Sequence, residues 1–267
     1  MSTDLISLYM QDPSKLTVML ALCSVRILVV FAMLPLFASH LVPAMVRGGL
    51  AIAMAFPVTL GVVHHPLPFD FTMWSLASFL AKEGAVGLLI GLGFGAFFAG
   101  LQAVGEIIDH QTGLTFTQNI DPVHGNSVSL SAQYLERLLF AVLMVSGAML
   151  VIVDTVYLSF EVWPLGQWAP IFDRAMLLNL VPQASKLFAL SLLLAGPVVL
   201  ALFIVDAGLG LLNRAAPQLN IFNITLSLKS LIGIAVLILA LPMIVTRVIG
   251  AMHDVAGTLR LFLVGLH

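Results

Sequence analysis

The chain has 267 residues, of which 60% are hydrophobic and only 9% charged, with a mean hydropathy of +1.10 and a formal net charge of −2. A soluble domain averages about 25% charged residues because its surface must hold water, so most of this chain's outer surface faces lipid or apolar protein. The slightly acidic balance and the absence of any Lys/Arg-rich run exclude the electrostatic footprint of a nucleic-acid binder.

In chain order, Met1 to Pro13 carries Asp4 and Asp12 and lacks a basic leading region, so it does not read as a signal peptide. Cys23 is the only cysteine, which excludes an intramolecular disulfide and a CxxC site; it reads as a small buried hydrophobe. A hydrocarbon core of about 30 Å needs ~20 apolar residues in a helix. Charge-free runs of that order recur at Ile27 to Val46, Gly48 to Phe69, Gly84 to Gly105, Leu138 to Val153 (apolar as far as Phe160), Leu187 to Val205 and Ser230 to Thr246. Phe71 to Ala81 reads as a short helix leading into the third run. The runs do not alternate in polarity, as a barrel would require, and irregular chain cannot cross lipid with its backbone unsatisfied. The predicted fold class is therefore an all-α membrane protein of about six long, kinked hydrophobic helices, forming a single domain over residues 1–267. Lys15, Arg174, Arg247 and Arg260 fall on one predicted side and Arg47 and Arg214 on the other, which favours cytoplasmic termini.

Several features go beyond a plain bundle. Gly87, Gly91 and Gly95 repeat at four-residue spacing on nearly one face, suited to close approach of a second helix, whether of this chain or of a partner. Pro35, Pro57, Pro197 and Pro242 fall inside predicted spans and would bend them. Arg26, Asp154 and Asp206 are expected as buried charges that pair within the protein, with Lys229 and Arg247 also close to apolar helices. The longest connection, residues 106–131, reads EIIDHQTGLTFTQNIDPVHGNSVSLS and contains no Lys or Arg. The link from Glu161 to Pro182 carries Trp163, Pro164, Trp168 and Pro170 and looks interfacial. No nucleotide, metalloprotease, nucleophile-elbow or dinucleotide motif is present, and His64-His65 reads as a polar loop rather than a ligand pair. Neither an enzyme activity nor a cofactor or metal site is expected.

The block Arg214-Ala-Ala-Pro217-Gln218-Leu219-Asn220-Ile-Phe222, followed by Lys229-Ser230, resembles the signature of the export-gate family that includes FliR of flagella and SctT of type III secretion injectisomes. Glu106-Ile-Ile-Asp109 with Gly113, Asp121-Pro122, and Leu41-Val42-Pro43 with Arg47-Gly48-Gly49-Leu50 extend the likeness, and the layout is similar over essentially the whole chain. Lys229-Ser230 looks more like the injectisome branch. The resemblance implies a non-enzymatic subunit of an export gate in the bacterial inner membrane, within the secretion-system base. It further implies helical hairpins like those of two smaller partners (SctR/FliP-like and SctS/FliQ-like), an SctU/FlhB-like switch protein, and unfolded polypeptides as cargo.

It also implies that the middle loop plugs the closed channel. By position that loop is 106–126 here. Leu114, Phe116 and Ile120 would supply the apolar bulk that excludes water, Gly113 and Gly125 conformational freedom, and Glu106, Asp109 and Asp121 a base. Pro217, Gln218, Leu219, Asn220, Phe222 and Lys229 are expected at a turn that contacts a neighbouring subunit. A flagellar paralogue is the alternative within the family. From a different class, a small-solute secondary transporter using Asp206, Arg26 or Asp154 as a midplane site is compatible with the same helices, prolines and charges.

Overall fold

The computed structural model describes residues 13–37, 42–62, 72–113, 129–166, 174–215 and 221–264. Among them are seven α-helices: α1 (Pro13–Met33), α2 (Ala44–Val62), α3 (Met73–Thr112), α4 (Leu130–Val145), α5 (Met149–Val162), α6 (Arg174–Ala215) and α7 (Ile221–Val264). A short 3-10 turn at Pro35–Phe37 follows α1. Five helices are long and apolar enough to cross a membrane, and α4 with α5 make a sixth crossing if taken as one broken span.

The helix boundaries differ from the charge-to-charge runs for identifiable reasons. The run from Ile27 to Val46 is not one helix. Pro35 lacks a donor and disfavours helical geometry at Leu34, so α1 ends at Met33 and reaches back through Arg26 to Pro13 instead. Arg26 lies inside this helix rather than bounding it. Likewise α2 begins before Arg47, whose Nη1 donates to the Phe37 carbonyl (2.9 Å). The short helix expected before the third run is continuous with it, and α3 extends over 40 residues. Both ends of the expected 106–131 loop are helical, because α3 runs on to Thr112 and α4 starts at Leu130. The single helix expected over Leu138 to Val153 is interrupted at 146–148, where Gly147 adopts φ 73°, a left-handed conformation that glycine takes without steric penalty. Pro57, Pro197 and Pro242 do lie within helices, α2, α6 and α7 respectively.

The helices group into two compact units. Unit 1 comprises residues to Gly95, Met149–Leu180 and His253–His267, and so contains α1, α2, the first half of α3, α5 and the end of α7. Unit 2 comprises Ala96–Ala148 and Val181–Met252, with the rest of α3, α4 and most of α6 and α7.

Glycine sets the packing in both. In unit 1, α1 lies along the Gly87, Gly91 and Gly95 stripe. A Cβ at Gly87 would sit 2.5 Å from the Arg26 carbonyl oxygen, and one at Gly91 2.8 Å from the Met33 Cβ. The approach made by this stripe is therefore to a helix of the same chain. In unit 2, α3 crosses the first turn of α4 with backbone against backbone: a Cβ at Gly105 would fall 2.2 Å from the Ala132 Cα. Phe97, Phe98, Leu101, Leu135, Leu139, Leu194 and Val198 are among the buried residues of this unit.

Outside these contacts the surface is strongly apolar. Only 17% of the Ala44–Gly61 stretch and 22% of Ala189–Ala215 is buried. Leu50, Phe56, Leu200, Phe203, Leu211 and Leu239 are all exposed. This inverts the pattern of a water-soluble helix, which buries its apolar stripe.

The Gly105 contact is a sharp test of unit 2. Gly105→Ala has backbone, not a flexible side chain, to displace, and should cost ~2 kcal/mol or more. Gly84→Ala meets nothing within 4 Å and should be neutral or slightly stabilising, because alanine is the better helix former. Thermal unfolding of the two variants in detergent, compared with the parent, measures the difference.

Candidate functional site

Among the described residues, the ion pairs and the fully buried charges fall in four places. The most buried is in unit 1. Arg26 has 0% exposure, as does Glu83. Arg26 Nε donates to Glu83 Oε2 (2.6 Å), Nη1 to the Ser159 carbonyl (2.7 Å) and hydroxyl (3.0 Å), and Nη2 to the Trp163 carbonyl (3.0 Å). The guanidinium also lies over the Phe160 ring, 3.9 Å from its centroid. Lys82 Nζ is 2.9 Å from Glu83 Oε1 and donates to the Leu165 carbonyl (2.9 Å).

The geometry has a common cause. Helix α5 ends at Val162; the Ser159 carbonyl of its last turn also accepts the Trp163 N–H (3.0 Å), and the Trp163 and Leu165 carbonyls lie just beyond it, near the negative end of the helix dipole. Arg26 from α1 and Lys82 from α3 supply both the donors and the positive charge. Glu83 balances one of the two cations. Three helices and the turn after α5 are thereby locked to one point. Arg26 was expected to be buried, and its partners were not identified. Lys82-Glu83, an adjacent pair of opposite charges just before a 22-residue uncharged run, was the available clue.

Asp154 and Asp206, expected alongside Arg26 as buried charges, are at surfaces. The Asp154 side chain is 65% exposed and pairs with Arg260 within unit 1. The Asp206 side chain is 41% exposed, and both its oxygens are engaged by Lys229 Nζ (2.8 and 2.9 Å) within unit 2. Each lies on an α-helix next to a second helix that offers a long basic side chain, which allows pairing without burial. Lys229, expected at a subunit contact, thus has an intrachain partner.

The fourth place is the junction of α3 and α4 in unit 2. Asp109 is fully buried, whereas Glu106, one turn earlier, is exposed. Gly113, at φ 79°, donates its N–H to the Asp109 carbonyl (3.1 Å), a left-handed cap that stops α3. The Asp109 carboxylate Oδ2 accepts from the Ser129 hydroxyl (2.6 Å) and the Ser131 N–H (3.2 Å). Ser129 is the N-cap of α4, and its hydroxyl oxygen accepts from the Ala132 N–H (3.1 Å). Two of the free N–H groups at the start of α4 are satisfied in this way. Beside this junction, Gln102 Nε2 donates to Glu136 Oε2 (3.0 Å).

Leu114, Phe116, Ile120, Asp121 and Pro122, expected to form the plug, lie outside the described residues, as do Pro217, Gln218, Leu219 and Asn220. Phe222 falls in the first turn of α7, with its side chain outside what is described. Among the described residues no group of three or more His, Cys, Asp or Glu side chains is placed to hold a metal ion.

Long helices with their apolar residues outward, and charges neutralised in pairs inside or between helices, define a multi-pass helical membrane protein. Residues 17–255 match the profile of the bacterial export proteins, family 1. The chain is 30% identical over 246 residues to the flagellar biosynthetic protein FliR of Bacillus subtilis, covering 91% of this chain and 94% of that protein. It is 33% identical over 222 residues to the surface presentation of antigens protein SpaR of Salmonella typhimurium (83% and 81%). With the Yop proteins translocation protein T of Yersinia pestis it shares 26% identity over 215 residues (80% and 82%). The chain belongs to this family of export proteins and is a membrane component of a bacterial export apparatus. Its relatives fall on both the flagellar and the antigen-presentation or translocation sides at similar identity, so they do not share the preference for one branch drawn from Lys229-Ser230.

The Arg26 cluster predicts a specific order of damage. Arg26→Ala leaves Glu83 buried with only Lys82 and removes the guanidinium donors from the Ser159 and Trp163 carbonyls, a loss of ~3–5 kcal/mol. Glu83→Gln keeps an acceptor for Nε and should cost less. The yield and melting temperature of the detergent-purified protein give the order; equal tolerance of both would contradict it.

Proposed function

We propose that the chain is a non-enzymatic subunit of an export gate, which helps to build and to seal a channel for unfolded polypeptides. The observation that carries this reading is the match over residues 17–255, with relatives named for flagellar biosynthesis in one organism and for translocation of secreted proteins in another. The placement of the charges supports a scaffold. Arg26 spends its donors on Glu83, Ser159 and Trp163, which leaves no free cation there for a solute. The apolar surfaces of α2, and separately of α6 and α7, are of the kind that smaller helical membrane subunits cover. SctR/FliP-like and SctS/FliQ-like proteins are the partners proposed, with an SctU/FlhB-like switch protein beside them.

Within this reading, the part of the 106–126 link that follows α3 plugs the closed channel, with Leu114, Phe116 and Ile120 as the water-excluding bulk. The junction at Asp109 supports that role, since it brings the residues flanking the segment to one place in unit 2. A segment with joined ends can enter or leave a pore without displacing the helices that carry it.

Two experiments test the proposal. Mass spectrometry of the complex isolated through this chain should find a large hetero-oligomer; a solitary protein that transports small solutes in vesicles would overturn the reading. Replacing Leu114 and Phe116 together with alanine should raise the ion leak of the assembled, resting complex severalfold, because a hydrophobic constriction closes by dewetting. Unchanged conductance would remove the plug assignment.

A further inference from the structure

In unit 1 a groove of about 620 Å³ opens between the ends of α2 and α5. Pro57, Val58 and Gly61 line one side, and Tyr157, Phe160 and Glu161 the other. Its volume falls within the ~300–1,000 Å³ of typical small-molecule sites. The sequence explains the opening. Gly61 contributes no side chain, and a Cβ added there would meet nothing within 4 Å. The two aromatic walls are held by bonds of their own. The Tyr157 hydroxyl donates to the Met54 carbonyl (3.2 Å), and the buried Phe160 ring carries the Arg26 guanidinium 3.9 Å from its centroid.

Glu161 is not held in this way. It is exposed, and unlike Glu83, Asp154 and Asp206 it has no cation among the described residues. A carboxylate on the rim of an apolar groove is complementary to a ligand with a cationic, hydrogen-bonding head and an apolar body. The depth agrees. The apolar span of α2 ends at Gly61 and helix α5 at Val162. The groove therefore lies at the edge of the hydrocarbon layer, with its carboxylate at the level of the headgroups.

We propose that this groove seats one phospholipid with a primary ammonium headgroup. An acyl chain lies against Val58, Tyr157 and Phe160, and the ammonium rests on Glu161. An ammonium offers three N–H donors to the carboxylate. A choline head offers none, and an anionic glycerol head is repelled. The groove takes in little more than one turn of α2, from Pro57 to Gly61, whereas a packed membrane helix lies along several turns of its neighbour. A lipid matches that extent and also the single charge.

The experiment uses the full-length chain, in whatever assembly it is isolated, stripped of lipid with excess detergent. Equal amounts of phosphatidylethanolamine, phosphatidylcholine and phosphatidylglycerol are then added, and native mass spectrometry counts the lipids retained. The measurement reads the same for a solitary chain as for a hetero-oligomer, so its failure is distinct from failure of the export-gate reading. The parent is expected to retain phosphatidylethanolamine about tenfold over the other two, the gain from hydrogen bonds between charged groups. Glu161→Gln should bring phosphatidylethanolamine and phosphatidylcholine to near parity. Gly61→Leu fills the groove from a position with open space and should lower the retained count by one lipid, with an unchanged melting temperature.

Equal retention of all three lipids by the parent, which needs no variant to fold, would overturn the proposal. So would a phosphatidylethanolamine preference that survives Glu161→Gln, or a lipid count that survives Gly61→Leu. A photocrosslinker at Val58 that captures another subunit, with no phospholipid retained, would make the groove a protein interface and equally overturn it.

Discussion

Arg26 carries a full positive charge into a part of unit 1 that water does not reach. Left alone there it would be prohibitive, and the usual outcome for an isolated buried cation is loss of the charge or of the fold. Arginine does not lose its proton at any accessible pH, so the surroundings have to meet it. They do so with one carboxylate, one hydroxyl, the Ser159 and Trp163 carbonyls and the face of Phe160. Because these acceptors come from α3, α5 and the turn beyond, the requirement of a single side chain fixes the relative position of three helices. The glycines of α3 are the complementary condition. A side chain at Gly87 would collide with the carbonyl of Arg26 itself, so the guanidinium reaches Glu83 only because α1 and α3 can touch through their backbones.

Unit 2 solves a related problem with less charge. Its closest contact, Gly105 on Ala132, is again backbone on backbone, and among the described residues its buried Asp109 is met by the Ser129 hydroxyl and the Ser131 N–H at a helix start rather than by a cation. Both units therefore bring a buried charge to a helix end: Arg26 and Lys82, paired with Glu83, to carbonyls at and just beyond the end of α5, and Asp109 to a hydroxyl and an amide at the start of α4. In an apolar protein with few charged residues to pair, the backbone ends of helices are the most available counter-charges.

The fold class was legible from composition and from the length of the apolar runs, because both reflect the same transfer free energy that drives helices into lipid. The boundaries were less so. Treating each charge as the edge of a span fails where the charge is neutralised inside, as at Arg26, and with a proline two residues beyond Met33 the first helix lies about four turns earlier than the apolar run suggests. The pairing of Arg26 with Glu83 spans 57 positions in sequence, and no local pattern encodes it. The surface position of Asp154 and Asp206 was equally hidden, since an apolar neighbourhood in sequence does not distinguish a helix face turned inward from one turned outward. Asp109 was named as a base for the loop together with Glu106 and Asp121; that it, and not Glu106, is buried depends on which side of α3 meets α4, which the Gly105 contact decides. The Pro217 to Asn220 block, the most specific part of the family likeness, lies outside the described residues and drew its meaning from resemblance throughout.

The last turns of α6, from Phe203 to Ala215, are apolar for the most part and yet almost bare on every side within this chain. A newly made copy presents this rod to the membrane before anything covers it. Apart from Asp206, Asn213 and Arg214 nothing on it calls for water, so lipid tails and apolar side chains suit it equally, and what lies against it is selected by shape more than by polarity.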